Sequence, residues 1–125
     1  MVIGVGTDLI EIARIRHSIT RFGDRFLHRV FTPGEIAYCR SKKNAAESFA
    51  ARFAAKEAGA KALGTGISHG ISWLELEVAR EPSGKPSLHL SGRAALRVRS
   101  LGVATISLSL THSKDFALAV VVMED

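Results

Sequence analysis

The chain has 125 residues, 46% hydrophobic and 23% charged, with a net charge of +5 and one cysteine. This is the composition of one globular domain over residues 1–125, able to bury roughly 65 to 70% of its unfolded surface with no disulfide or structural metal. A lone Cys39 excludes a disulfide scaffold. The lack of a leader-like start and of any apolar run of membrane-spanning length sets the expectation of a cytoplasmic protein with no membrane association.

The β-branched opening "MVIGVGTD" predicts a strand ending at Asp8, with glycines that let its backbone approach another element closely. From Glu11 the period changes: Ile12, Ile15, Ile19 and Phe22 recur at helical spacing, predicting an amphipathic helix that stops near Gly23. Residues 12–34 also carry most of the excess charge, Arg14, Arg16, Arg21, Arg25 and Arg29 against Asp24 alone. If helical geometry persisted past Gly23, Arg14, Arg21 and Arg25 would share the side opposite the apolar stripe.

"FTPGE" is a helix start, with Thr32 as N-cap, Pro33 at the first position and Glu35 closing a capping box, and the helix runs to about Arg40. Asn44 and Glu47 repeat the capping logic before "FAARFAAKEAGAKAL", a helix predicted to reach Leu63 and close on Gly64. After the loop "GTGISHG", "SWLELEVAR" alternates Leu74, Leu76 and Val78 inward with Trp73, Glu75 and Glu77 outward, the pattern of a half-buried strand. "EPSGKP" turns into a second strand, "SLHLS". Residues 92–101 form a helix stopped by Gly102, and "ATISLSLTH" and "FALAVVVME" pair as a hairpin through "SKD". The order predicts an α+β fold, an antiparallel sheet of four or five strands packed on the long central helix.

That helix breaks the pattern of a purely structural one. Phe49, Phe53, Ala60 and Leu63 define its buried face, Glu57 lies at the edge with Lys61 one turn on, and Lys56 points into the apolar stripe. One reading is a surface Glu57–Lys61 pair worth about 0.2 to 0.5 kcal/mol, with Lys56 laying its stem along apolar neighbours. The other joins Glu57 to Asp8 at the strand end. Two carboxylates in one cleft repel each other unless a cation intervenes, and magnesium, a hard ion that takes one or two carboxylates along with substrate phosphates, is the cation expected. Arg52, Lys56 and Lys61 then supply phosphate-binding charge.

These segments, "GTDLIEI", "FTPGE", "ARFAAKEA", "KALGTG", "GKP" and "SLSLTH", resemble in order and over nearly the whole chain the short bacterial branch of the 4′-phosphopantetheinyl transferase superfamily. The resemblance implies transfer of the phosphopantetheine arm of coenzyme A to a serine of apo acyl carrier protein, a step in fatty acid biosynthesis. It implies Asp8 and Glu57 as magnesium ligands, Glu57 or else Asp8 as the base, and Lys61 on the departing phosphate. Arg52 and Lys43 are implied for the 3′-phosphate. Gly64, Thr65 and Gly66, with Lys85 and Pro86, would line the nucleotide site through backbone groups. His112 matches a family histidine, although a lone histidine is more commonly structural. Arg14, Arg21 and Arg25 resemble a docking face for an acidic carrier protein, and the family implies a homotrimer with its active sites between subunits. Asn44, Ala45 and Ala46 stand where many relatives are basic. The competing class, a basic nucleic-acid-binding module, is disfavoured by one Trp and one Tyr, too few for a stacking platform, so no nucleic-acid partner is expected.

Overall fold

A computed structural model describes all 125 residues. The order is β1 (Val2–Glu11), α1 (Ile12–Phe22), α2 (Asp24–Val30), α3 (Pro33–Arg40), α4 (Ala45–Ala62), a short 3-10 turn (Trp73–Glu75), β2 (Leu76–Arg80), β3 (Pro86–Leu90), α5 (Gly92–Leu101), β4 (Thr105–His112) and β5 (Phe116–Glu124). All strand pairs are antiparallel, but the sheet is split: β1-β5-β4 form one piece and β2-β3 a separate hairpin.

Helix α4 lies between those two pieces. On one side its alanine-rich surface lets β1 come so close that a side chain at Gly4 or Gly6 would run into the main-chain oxygens of Ala62 and Ala58. Ala117, Ala119, Val121 and Met123 of β5 are fully buried on the same side. On the other side Gly59 accepts the side chains of Leu76 and Leu88 from the hairpin. One continuous core results, in which Phe49 packs on Phe31 with ring centroids 4.9 Å apart. Burying a side chain of this size contributes about 1.5 to 3 kcal/mol. Because α4 is covered on both sides, Arg52 and Lys56 are buried with the alanines.

Several expectations shift. Strand β1 continues past Asp8 to Glu11, so Asp8 sits within the strand, opposite Ala119 of β5. Gly23, at φ +55°, ends α1 but starts α2 immediately, so Arg25 belongs to a second helix and not to the first. The Thr32–Glu35 capping box forms in full, whereas Asn44 makes no side-chain cap bond to α4. The predicted strand from Ser72 is shortened by the 3-10 turn, which leaves Leu74 exposed while Leu76 and Val78 stay inside. Gly64 and Gly102 take positive φ at helix ends as expected.

The outer face of the three-stranded sheet has no covering layer. Val5 is 58% and Leu9 62% exposed on β1. Leu118, Val120 and Val122 of β5 are half-buried beside them. No helix is long and apolar enough to cross a membrane.

Candidate functional site

The close passage of β1 over α4 determines what Asp8 and Glu57 can do. With Gly6 against the helix backbone, the next residues of β1 lie beside the last two turns of α4, and Lys61 Nζ donates to Thr7 O at 3.0 Å and to Asp8 Oδ1 at 3.1 Å. The Glu57–Lys61 surface pair, one of the two readings open from the sequence, does not form. Glu57 Oε1 accepts instead from Trp73 Nε1 at 3.1 Å. Asp8 and Glu57 line one cleft of about 670 Å³ together with Arg14, His17 and Phe53.

Asp8 Oδ2 and Glu57 Oε2 accept no hydrogen bond from the chain. Two carboxylates in one cleft, each with an oxygen not engaged by protein, form a donor set that fits a small hard dication. A dication held there would take one oxygen from each carboxylate, with water and substrate completing its shell.

A second cleft, of about 500 Å³, brings together three residues expected to handle phosphate, Lys43, Arg52 and His112, and adds Lys42, Arg80 and Tyr38. Arg52 lies 4.1 Å, Lys42 4.7 Å and Arg80 5.2 Å from the Tyr38 ring centroid. Burial pushes the Tyr38 phenol up, but the cations Arg80, Arg52 and Lys42 outweigh it and hold its pKa below the ordinary value. Arg52 is almost wholly buried and its Nε has no partner. His112 is half exposed, with Nδ1 3.7 Å from Glu47 Oε2, too long for a hydrogen bond, so it is not tied down structurally. Tyr38, Lys42 and Arg80 were not singled out from the sequence. The available signal was weak: a lone tyrosine one turn before a lysine pair.

Other expected residues lie elsewhere. Gly64 and Thr65 border a third cleft with His69, Arg93 and Arg97. The N–H groups of Gly64, Thr65 and Gly66 donate to Lys61 O and Ala60 O, closing the end of α4, so these donors are not free to hold a phosphate. Lys85 and Pro86, at the turn of the β2-β3 hairpin, line none of these three clefts. Arg14 borders the carboxylate cleft, Arg21 lies 5.4 Å from the exposed Phe22 ring, and Arg25 lines a groove with Phe22, Phe26 and Arg29.

Lys56 requires a correction. It is fully buried, with Nζ 2.7 Å from Glu35 Oε1 and 3.0 Å from both Trp73 O and Leu76 O, so its three protons have three acceptors within the fold. Glu35 is satisfied in turn by the N–H groups of Thr32 and Val78. Burial pulls the Lys56 ammonium below its usual pKa and Glu35 pushes back. This lysine joins α3, α4 and β2 and is not presented to a phosphate.

Comparison with known proteins agrees over the full length. Residues 4–121 match the family described as the 4′-phosphopantetheinyl transferase superfamily. The holo-[acyl-carrier-protein] synthase of Koribacter versatilis (strain Ellin345) is 52% identical over 125 residues, all of both chains. Among solved structures, the holo-[acyl-carrier-protein] synthase from Neisseria meningitidis superposes with a TM-score of 0.92 at 34% identity over the whole of both chains. The Helicobacter pylori enzyme in complex with coenzyme A superposes with a TM-score of 0.85 at 36% identity, covering 96% of this chain and 99% of that one.

Proposed function

The chain belongs to the 4′-phosphopantetheinyl transferase superfamily, and from that premise we propose how its clefts divide one reaction. The protein transfers the 4′-phosphopantetheine arm of coenzyme A to a serine of apo acyl carrier protein. The serine oxygen forms a bond to the phosphorus that carries the pantetheine. The bond from that phosphorus to the bridging oxygen breaks, and adenosine 3′,5′-bisphosphate leaves with the electron pair.

The observation that carries this reading is the placement of Asp8 and Glu57 on one cleft, with Lys61 bonded to Asp8. Magnesium held by Asp8 and Glu57 would offset the charge of the pyrophosphate as the phosphoanhydride breaks. Glu57 takes the serine proton, directly or through a water, with Asp8 as the alternative base. Lys61, half exposed and held only by Thr7 O and Asp8, is free to turn its ammonium to the departing phosphate. Arg52, Lys43 and His112 bind the 3′-phosphate in the basic cleft. Arg14 at the carboxylate cleft, with Arg21 and Arg25 exposed on α1 and α2, steers the acidic carrier protein.

On one chain the carboxylate cleft and the basic cleft are separate, with no lining residue in common. The uncovered apolar outer face of β1 and β5 supports a homotrimer in which the carboxylate cleft of one subunit is completed by the basic cleft of its neighbour. A free, buried Cys39 fits the reducing cytoplasm in which this step would operate.

Mass spectrometry of apo acyl carrier protein incubated with the protein, coenzyme A and magnesium tests the reaction. The expected result is a gain of one phosphopantetheine group that a chelator abolishes. No mass change would reject the activity, and modification undiminished by chelation would reject the metal.

A further inference from the structure

We propose that Trp73 is the positioning residue for Glu57, fixing one carboxylate oxygen through its indole N–H so that the other stays aimed at the metal. The inference rests on the reading of Asp8 and Glu57 as the ion-binding pair.

An unrestrained Glu57 would have the choice foreseen from the sequence, pairing with Lys61 one turn along α4. That pairing would engage the carboxylate and bring a competing cation beside it. Trp73 removes the option. Its Nε1 lies 3.1 Å from Glu57 Oε1, and an indole donates without placing a competing cation beside the carboxylate. Lys61 is left to Asp8. The contrast between the two carboxylates is chemical: Asp8 is held by a charged, half-exposed ammonium, and Glu57 by a neutral, partly buried ring.

One ring contact and two backbone restraints hold Trp73 in place. It stacks on Phe53, one turn before Glu57, with centroids 6.3 Å apart and planes at 30°. Its main-chain oxygen accepts from the buried Lys56 at 3.0 Å. The turn that carries it is pinned by Glu75, whose carboxylate accepts from Ser72 N at 2.9 Å and from Arg93 N at 2.7 Å. A donor immobilised in this way orients a ligand without moving when the ion arrives, the function of outer partners at metal centres.

Trp73→Phe leaves an aromatic ring beside Phe53 and removes the N–H along with part of the indole's packing area, and the melting temperature reads the second loss separately. With coenzyme A present, Mn2+ binding is followed by the electron paramagnetic resonance of the free ion in wild type, Trp73→Phe and Glu57→Gln, with melting temperature recorded for each. The expected result is Mn2+ affinity lower by about tenfold or more in Trp73→Phe. Its kcat should recover at high metal concentration, and its melting temperature should stay within a few degrees of wild type. Unchanged Mn2+ affinity in Trp73→Phe, where Glu57→Gln has lost it, overturns the proposal and leaves the ion-binding pair standing. Equal Mn2+ binding in wild type and Glu57→Gln overturns the pair itself. A second measurement uses Trp73 as the only tryptophan of the chain. Stoichiometric Mn2+ should quench its emission in wild type and not in Glu57→Gln, and emission undiminished at saturating Mn2+ would also overturn the proposal.

Discussion

Helix α4 carries two polar regions within six residues, and they are built on opposite terms. Around Lys56 every donor and acceptor is matched: Glu35 Oε1, Trp73 O and Leu76 O take the ammonium, and Thr32 N and Val78 N hold the carboxylate, all within the core. Around Glu57 and Lys61 the matching is deliberately partial. Asp8 and Glu57 each have an oxygen with no protein partner, and Lys61 is half exposed on a 3.1 Å bond. The same residue types therefore do different work, and the completeness of their partners shows which. A saturated buried pair joins elements of the fold, and an unsaturated pair at a cleft is available to a ligand.

The largest expected effect comes from removing a partner from the saturated region. Lys56→Met strands the Glu35 carboxylate in the core and should cost about 3 to 5 kcal/mol of unfolding free energy by denaturant titration. Adding Glu35→Gln should recover part of it, because an amide leaves no charge stranded. A loss below about 1 kcal/mol would break the comparison. Next, Lys61→Ala should leave stability within about 1 kcal/mol, since its pair with Asp8 is exposed, but lower kcat by about 100-fold as the departing phosphate loses its cation. A change in stability with unaltered kcat would put Lys61 in the structural class. The smallest effect belongs to the basic face. Arg21→Glu should raise KM for the carrier protein about tenfold at low ionic strength, converge on wild type as salt is added, and leave kcat alone. A salt-independent defect would argue against steering.

The sequence was most legible where signals were local. Thr32 and Glu35 lie three residues apart and form the expected box, and Gly64 and Gly102 mark helix ends because positive φ suits glycine. It misled where a local pattern had two continuations. Gly23 ends α1, yet nothing in "GDRF" forbids a helix from restarting one residue later. The period of two through Trp73 and Leu74 fits a strand until Glu75 bends back to cap the Ser72 N–H. Asp8 and Glu57 stand out in the sequence as carboxylates beside glycine-containing segments, and the fold places both on one cleft. The partner of Lys56 was not found, because Glu35 is 21 positions away and its local role as a capping residue hid its second one. The separation of the residues expected to handle phosphate into different clefts is a property of packing that residue spacing does not carry.

Gly6 has a reach beyond its own position. Because β1 touches α4 there main chain to main chain, the register of Thr7 and Asp8 over Lys61 is inherited from a missing methyl group. Alanine, the mildest replacement available, would act as a wedge two residues from a carboxylate, prising the strand off the helix and widening the gap between Asp8 and Glu57 without altering either one. The shape of the carboxylate cleft thus hangs on a residue with no chemistry at all.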